Sequence, residues 1–298
     1  MGYEMKINKL LFATQFEELQ FDALQSLLDL KKADLNHVVF LNVIEREKVA
    51  MRRGAGYKKN EAIRLKEKAN IRFIDWAENL FEQGMEVGVY IVVGSMAQHV
   101  IESAKKEAVD LIVIGPKKKS RLETIYAGSD IIEIIHRSKI PVMVFKYIEK
   151  DKQIIEKPFD RPLLATDFSS AGQRAINLFS ALGDVVEEVN IIHVIDDKQL
   201  TGDSAMSIQK VRKTTRSKLD TVCDQLEEKG IRARVHVYVG ETVAEIEKAA
   251  RECRATMIVT GTSNKSNWRE KLLGSTPRTL AEKSPFPTLL IPPSMKTA

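Results

Sequence analysis

At 298 residues, with 44% hydrophobic and 29% charged positions, the chain has the make-up of a folded protein of about two domains at roughly 150 residues each. Its net charge of +5 does not define a nucleic-acid binder, because the 46 basic residues are scattered among 41 acidic ones and no basic ribbon carries interleaved aromatics. No apolar run approaches the roughly 20 residues that cross a bilayer. Glu4, Lys6 and Lys9 interrupt any signal-peptide pattern, and Lys6 stands where a myristoylation motif needs Ser or Thr. Neither nucleic acid nor membrane is an expected partner, and a cytoplasmic location is expected. Cys223 and Cys253 fall among apolar helical positions (Leu219, Val222, Leu226 and Ile246, Ala249, Ala250) and read as core filler in a reducing compartment.

The first half alternates strands and helices. Lys9–Thr14 is a buried strand, Phe21–Lys31 a helix and Val38–Ile44 a second strand. A long helix follows over about 60–83, with Ile74, Ala77, Leu80 and Phe81 on its period and Gly84 as a left-handed stop. Glu86–Val93 is a third strand, Ala97–Glu107 a helix and Leu111–Gly115 a fourth strand. A loop leads to a helix at Ser129–Arg137, and Pro141–Tyr147 ends the unit. Short apolar strands separated by helices predict a five-stranded parallel sheet covered on both faces, a doubly wound α/β domain.

The second half repeats this plan from Pro162 to Ile291. Leu11-Phe12-Ala13-Thr14-Gln15-Phe16 returns as Leu163-Leu164-Ala165-Thr166-Asp167-Phe168, and Val38–Ile44 returns as Val189–Ile195. Val93-Gly94 returns as Val239-Gly240, Asp110–Gly115 as Thr256–Gly261, Gly128-Ser129 as Gly274-Ser275, and Ile140-Pro141-Val142 as Phe286-Pro287-Thr288. Landmarks in one order with near-constant offset are a duplication. The domains are expected at 1–148 and 161–298, joined by a charged linker at 149–160 that carries Pro158.

Open parallel sheets bind ligands beyond the carboxyl ends of their strands. In the second half those ends carry Asp167, Val194 and Gly261. Gly261-Thr-Ser-Asn264 then runs through nine residues to Gly274-Ser275-Thr276 at a helix start. Glycine allows close backbone approach, and a helix N-terminus with hydroxyls favours phosphate. Asp167 is suited to accept hydrogen bonds from a ribose or a purine amine. The competing reading is that glycines end strands and Ser-Thr caps a helix with no ligand present.

This arrangement, with the Thr166–Ser169 opening, the His193–Asp196 end of the second strand and the Val-Gly pairs, resembles the universal stress protein family over nearly the whole chain, once per half. The resemblance implies a Rossmann-like, adenine nucleotide alpha hydrolase-like fold. It also implies, in members that bind ATP, a site made here by Thr166, Asp167, Val194, Gly261, Asn264, Gly274, Ser275 and Thr276. Asn264 stands where the family's middle glycine belongs; Asn is the residue that best tolerates that backbone after glycine. The first-half counterparts are Gln15, Val43, Gly115, Lys118, Gly128 and Ser129. There Gln15 replaces the aspartate, Lys118 replaces the middle glycine and Pro116 stiffens the loop, so this site is expected to be degenerate. The implied cofactor is ATP or AMP, with or without Mg²⁺. Relatives pair through their last strands, so Pro141–Tyr147 and Pro287–Ile291 are expected to form an internal pseudo-dimer, with further homodimerisation left open.

No enzyme signature is present. The histidines (His37, His99, His136, His193, His236) form no metal-ligand spacing, no Gly-x4-Gly-Lys-Ser/Thr loop occurs, and His193 reads as a satisfied core residue. The expectation is a stress-response regulatory protein that binds an adenine nucleotide in its second half and acts on an unidentified protein partner. The alternatives are an interaction module of the same fold that binds no nucleotide, and a slow ATPase.

Overall fold

A computed structural model of the chain describes residues 6–17, 19–50, 58–116, 128–147, 149–150, 153–154, 157–196, 205–262 and 274–293. Two compact units divide it, Ile7–Phe145 and a second made of Lys146–Ala298 with the first six residues.

The first unit runs β1 (Lys9–Ala13), α1 (Phe21–Gln25), a 3₁₀ turn (Leu28–Ala33), β2 (His37–Glu45), α2 (Arg46–Val49), α3 (Lys59–Glu82), β3 (Glu86–Gly94), α4 (Met96–Lys106), β4 (Leu111–Ile114), α5 (Ser129–Arg137) and β5 (Val142–Val144). All its strands pair in parallel, in the order β5-β4-β1-β2-β3. The sheet carries near-continuous apolar runs because both faces are covered; β1 and β2 have only their end residues partly exposed. On one face Phe12, Phe40, Phe73 and Trp76 interlock, with Phe40 stacked on Phe73 at 5.0 Å.

Two expectations need correction. Phe21–Lys31 is not one helix: α1 stops at Gln25 and the chain tightens into 3₁₀ geometry. Leu24, Leu27 and Leu30, all buried, recur every three residues, the spacing a 3₁₀ turn places on one face. Along α3 the core face is Ala62, Ala69, Phe73, Ala77 and Leu80, whereas Ile74 and Phe81 lie in solvent, each about 100° round from a buried neighbour. Gly84 does follow the helix with φ +76°.

Between the repeats, β6 (Glu149–Lys150) and β7 (Gln153–Ile154) form a short antiparallel ladder. The second unit continues with β8 (Pro162–Ala165), α6 (Ser170–Ala181), β9 (Glu188–Asp196), α7 (Ala205–Glu227), β10 (Arg232–Gly240), α8 (Thr242–Glu252), β11 (Met257–Gly261), α9 (Ser275–Lys283) and β12 (Thr288–Ile291). Its parallel order, β10-β9-β8-β11-β12, repeats the first. Leu163, Ile192, Ile246, Ala249, Ile258 and Leu280 pack beneath α8 and α9. Lys146, where this unit begins, is 2% exposed and donates from Nζ to the carbonyls of Leu280 (2.9 Å) and Ser284 (2.6 Å) at the end of α9. Both cysteines are free and half-buried, and burial pushes the Cys223 thiol up to about 11, so it stays protonated and unreactive. No helix among the described residues is long and apolar enough to cross a membrane.

Candidate functional site

Parallel pairing brings the three strand ends of the second unit to one level. Ala165 pairs with Ile192 on one side and Thr260 on the other, so Thr166 and Asp167 leave β8 beside His193 and Val194 of β9 and Gly261 of β11. Val194 lies within β9, which runs on to Asp196, rather than at its end.

The turn after β8 is over-determined. Thr166 is buried; its N–H donates to Ile192 O, and its Oγ1 accepts the N–H of Phe168 at 3.0 Å. Phe168 is thereby held at φ +60°, a left-handed backbone that costs a residue with a Cβ roughly 1–2 kcal/mol. Asp167 Oδ1 accepts the N–H of Ser169 at 3.0 Å, and Ser169 Oγ caps α6 by accepting from Gly172. These contacts fix Asp167 at the strand end. His193 Nδ1 lies 2.7 Å from Thr166 O, and its ring stacks on Phe168 at 4.9 Å. Phe168 keeps 37% exposure beside Asp167, with Lys218 Nζ 5.4 Å from its ring centre.

Gly261 is required by packing. A Cβ there would meet Ala171 Cβ at 2.7 Å, so the N-terminus of α6 occupies the space a side chain would take. Gly274 caps α9 through its extended backbone, and Ser275 and Thr276 form the first turn, which contains no acidic residue. Asn264 lies outside the described residues.

The first unit builds the same frame and finishes it differently. Thr14 Oγ1 accepts from Phe16 N at 2.7 Å, Phe16 sits at φ +69°, and Asn42 Nδ2 donates to Thr14 O at 2.8 Å where His193 meets Thr166. Gln15, however, turns across to β2. Its Nε2 donates to Val43 O (3.4 Å) and Glu45 Oε1 (3.3 Å), while its Oε1 accepts from Lys48 Nζ (3.3 Å). Val43 O, the counterpart of Val194 O, is thus engaged by a side chain of the chain itself. The cavity among Gln15, Phe16, Asn42, Val43, Lys48 and Arg72 is about 210 Å³, below the roughly 300 Å³ of small-molecule pockets. A larger one, about 410 Å³, opens beside Gly94 and Ser95, but Glu45, Glu47 and Asp130 line it against a single cation, Arg46.

Asp130 is the residue that sequence reasoning missed. It occupies the first turn of α5, where α9 has Thr276. The contrast Gly-Ser-Asp against Gly-Ser-Thr was the available signal, and it acquires meaning once both helices are seen to begin at the serine. A carboxylate there already takes the place an anion would fill at the helix dipole. Gly115 and Pro116 are buried, and Lys118 lies outside the described residues. Among the described residues no His, Cys, Asp or Glu group is placed to hold a metal ion.

Two doubly wound α/β units in tandem, each with the same five-strand order and a Gly-Ser helix start before its last strand, define a duplicated domain. The family model for the universal stress protein family matches the chain twice, over residues 6–146 and 158–292. The chain therefore belongs to the universal stress protein family, as a tandem two-domain member. Universal stress protein MJ0577 of Methanocaldococcus jannaschii is 26% identical over 153 residues, covering 45% of this chain and 94% of that one. A universal stress protein of Archaeoglobus fulgidus superposes with a TM-score of 0.71 at 24% identity, over 96% of this chain and 99% of its own. The protein PA1789 of Pseudomonas aeruginosa superposes with a TM-score of 0.67 at 18% identity, over 97% of this chain and 94% of its own. At these identities the structural likeness establishes the fold.

Proposed function

We propose that this stress-response protein is an adenine-nucleotide-binding regulator whose working site is in the second domain. The observation that carries the reading is the asymmetry of two otherwise matching helix starts. The first turn of α9 holds Gly274, Ser275 and Thr276 and no carboxylate, whereas α5 places Asp130 there. A helix N-terminus presents unpaired N–H groups and a positive dipole end, so phosphate suits α9 and is repelled at α5.

The residues at the strand ends fit the rest of such a ligand. Asp167 is a fixed acceptor for hydroxyl or amine donors, Phe168 offers a partly exposed aromatic face, and the β9 backbone at Val194 lies one strand over. In the first domain Gln15 is the corresponding residue, and its amide is already bonded to Val43 O and Glu45. The second domain would hold ATP or AMP through Thr166, Asp167, Val194, Gly261, Gly274, Ser275 and Thr276, with the base and ribose at the strand ends and phosphates at α9. The bound nucleotide would supply a charge-dependent bias on how the chain meets a protein partner. No hydrolytic step is assigned.

The test is isothermal titration of nucleotide-stripped protein with ATP and AMP, beside D167A. Binding that D167A weakens about tenfold or more supports the reading, since a hydrogen-bonded charged acceptor is typically worth about 1.5–3 kcal/mol. No heat at millimolar ligand would leave the chain an interaction module of the same fold.

A further inference from the structure

The cavity of about 210 Å³ at the strand ends of the first domain has buried and exposed linings of opposite character. Val43, Ile44 and Ala69 are buried and, with the half-buried Phe16 and Leu65, make an apolar wall. The exposed lining residues are charged: Lys48, Lys68 and Arg72 against one carboxylate, Glu17. Lys68 and Arg72 stand four residues apart on one face of α3, a like-charge spacing that disfavours the helix carrying it. Among the described residues none of the three cations has a carboxylate partner. Arg72 Cζ lies 5.0 Å from the centre of the Phe16 ring, and Lys48 Nζ meets the amide oxygen of Gln15.

The second domain supplies the comparison. Gly84 and Gly230 both adopt left-handed φ after α3 and α7, which sets the two helices in register. Arg72 then corresponds to Lys218, and their contacts agree: Lys218 Nζ lies 5.4 Å from the ring centre of Phe168, the counterpart of Phe16. Lys68 corresponds to Thr214, and Gln15 to Asp167. Where the second domain sets one cation of its helix beside a carboxylate, the first sets two beside a neutral amide, with Lys48 close by. Glu17, which stands where the second domain has Ser169, offsets one of the three and leaves the lining cationic. The strand end has changed from a hydrogen-bond acceptor to a place that attracts an anion.

Size and the state of the backbone define that anion. An apolar cavity of about 150 Å³ holds benzene, so one of 210 Å³ admits a body of that order and excludes a nucleotide, whose pockets begin near about 300 Å³. Gln15 Nε2 already occupies Val43 O, which closes the backbone acceptor that a base amine would use. A carboxylate needs donors instead, and Lys68 and Arg72 supply charged ones.

We propose that the first domain binds a small organic anion, a single carboxylate on an apolar body about the size of a benzene ring. The body packs against Phe16, Val43 and Leu65, and the carboxylate meets Lys68 and Arg72.

Trp76, whose ring centre is 5.3 Å from that of Phe16, reports on this cavity. The chain has two tryptophans, so the full chain carrying W268F leaves Trp76 as the single emitter. Titration with benzoate should give a saturable change in its fluorescence with Kd between about 50 µM and 2 mM, the range suited to a ligand of about nine non-hydrogen atoms. Benzyl alcohol, which has the body without the charge, and inorganic phosphate, which has the charge without the body, should bind at least about tenfold more weakly. K68T/R72Q should keep the circular dichroism melt and lose at least about tenfold in benzoate affinity; Q15D, which installs the second domain's carboxylate, should lose as much. No saturation by about 10 mM benzoate would overturn the proposal, as would benzyl alcohol or phosphate matching benzoate, or K68T/R72Q or Q15D binding it as tightly as the parent chain.

Discussion

Lys146 ties the stability of the second unit to pH. Its side chain is almost wholly enclosed, and burial holds the amine well below its ordinary range, at about 7, an effect that the charge of Glu247 partly offsets. A neutral amine still has two N–H donors, enough for the carbonyls of Leu280 and Ser284 that close α9. In the unfolded chain the same group titrates near 10.4. Between those pH values the unfolded chain carries one proton more than the folded one, so unfolding free energy rises with pH by up to ~1.4 kcal/mol per unit. Accumulated from pH 7 to 10 this is on the order of 3–4 kcal/mol, and the contribution is lost as pH falls towards 7. K146M removes the titration while keeping most of the volume. Urea denaturation by circular dichroism at pH 6.5, 8 and 9.5 should show the gap between wild type and K146M shifting in favour of wild type as pH rises. Parallel pH profiles would refute the reasoning, because every other titrating group is common to both chains.

Other expectations follow from contacts at the strand ends. G261A forces a Cβ to within 2.7 Å of Ala171 and should cost about 1–3 kcal/mol, visible as a lowered urea midpoint; an unchanged midpoint would mean α6 moves aside freely. H193L and N42L each strip a partner from a threonine carbonyl at the end of β8 or β1, and each should cost about 1–3 kcal/mol in its own domain. If both are neutral, the matched frames in the two repeats carry no stability. G172A should be destabilising too, since its Cβ would meet Thr166 Oγ1 at 2.7 Å; thermal melts compare it with the exposed control S170A.

The duplication and the parallel sheets were legible because both rest on strong local signals, short apolar runs such as Leu10–Ala13 and Leu111–Ile114 and landmarks such as Thr14-Gln15-Phe16 against Thr166-Asp167-Phe168. Position around a helix was less so. On α3, Ile74 and Phe81 satisfy helical spacing as well as Phe73 and Leu80 do, and only the sheet beneath decides which set is covered. Leu24, Leu27 and Leu30 gave a similar ambiguity between 3.6 and 3.0 residues per turn. Gly261 was read for ligand approach, yet the space its missing side chain leaves is filled by Ala171, a neighbour 90 residues earlier in the chain. The hydrogen bond from Gln15 to Val43 O depends on strand pairing and rotamer together, and no spacing rule reports it. Asp130 was visible as a letter and silent as chemistry until the start of α5 fixed it in a first turn.

The most direct test of one phosphate-competent helix start per chain is the stoichiometry of ATP binding to stripped protein, measured for wild type and T276D by isothermal titration. The account predicts one equivalent for wild type and at least about a tenfold loss of affinity in T276D, where a carboxylate enters the first turn of α9 as Asp130 does in α5. Two equivalents in wild type, or T276D binding as tightly as wild type, would contradict it.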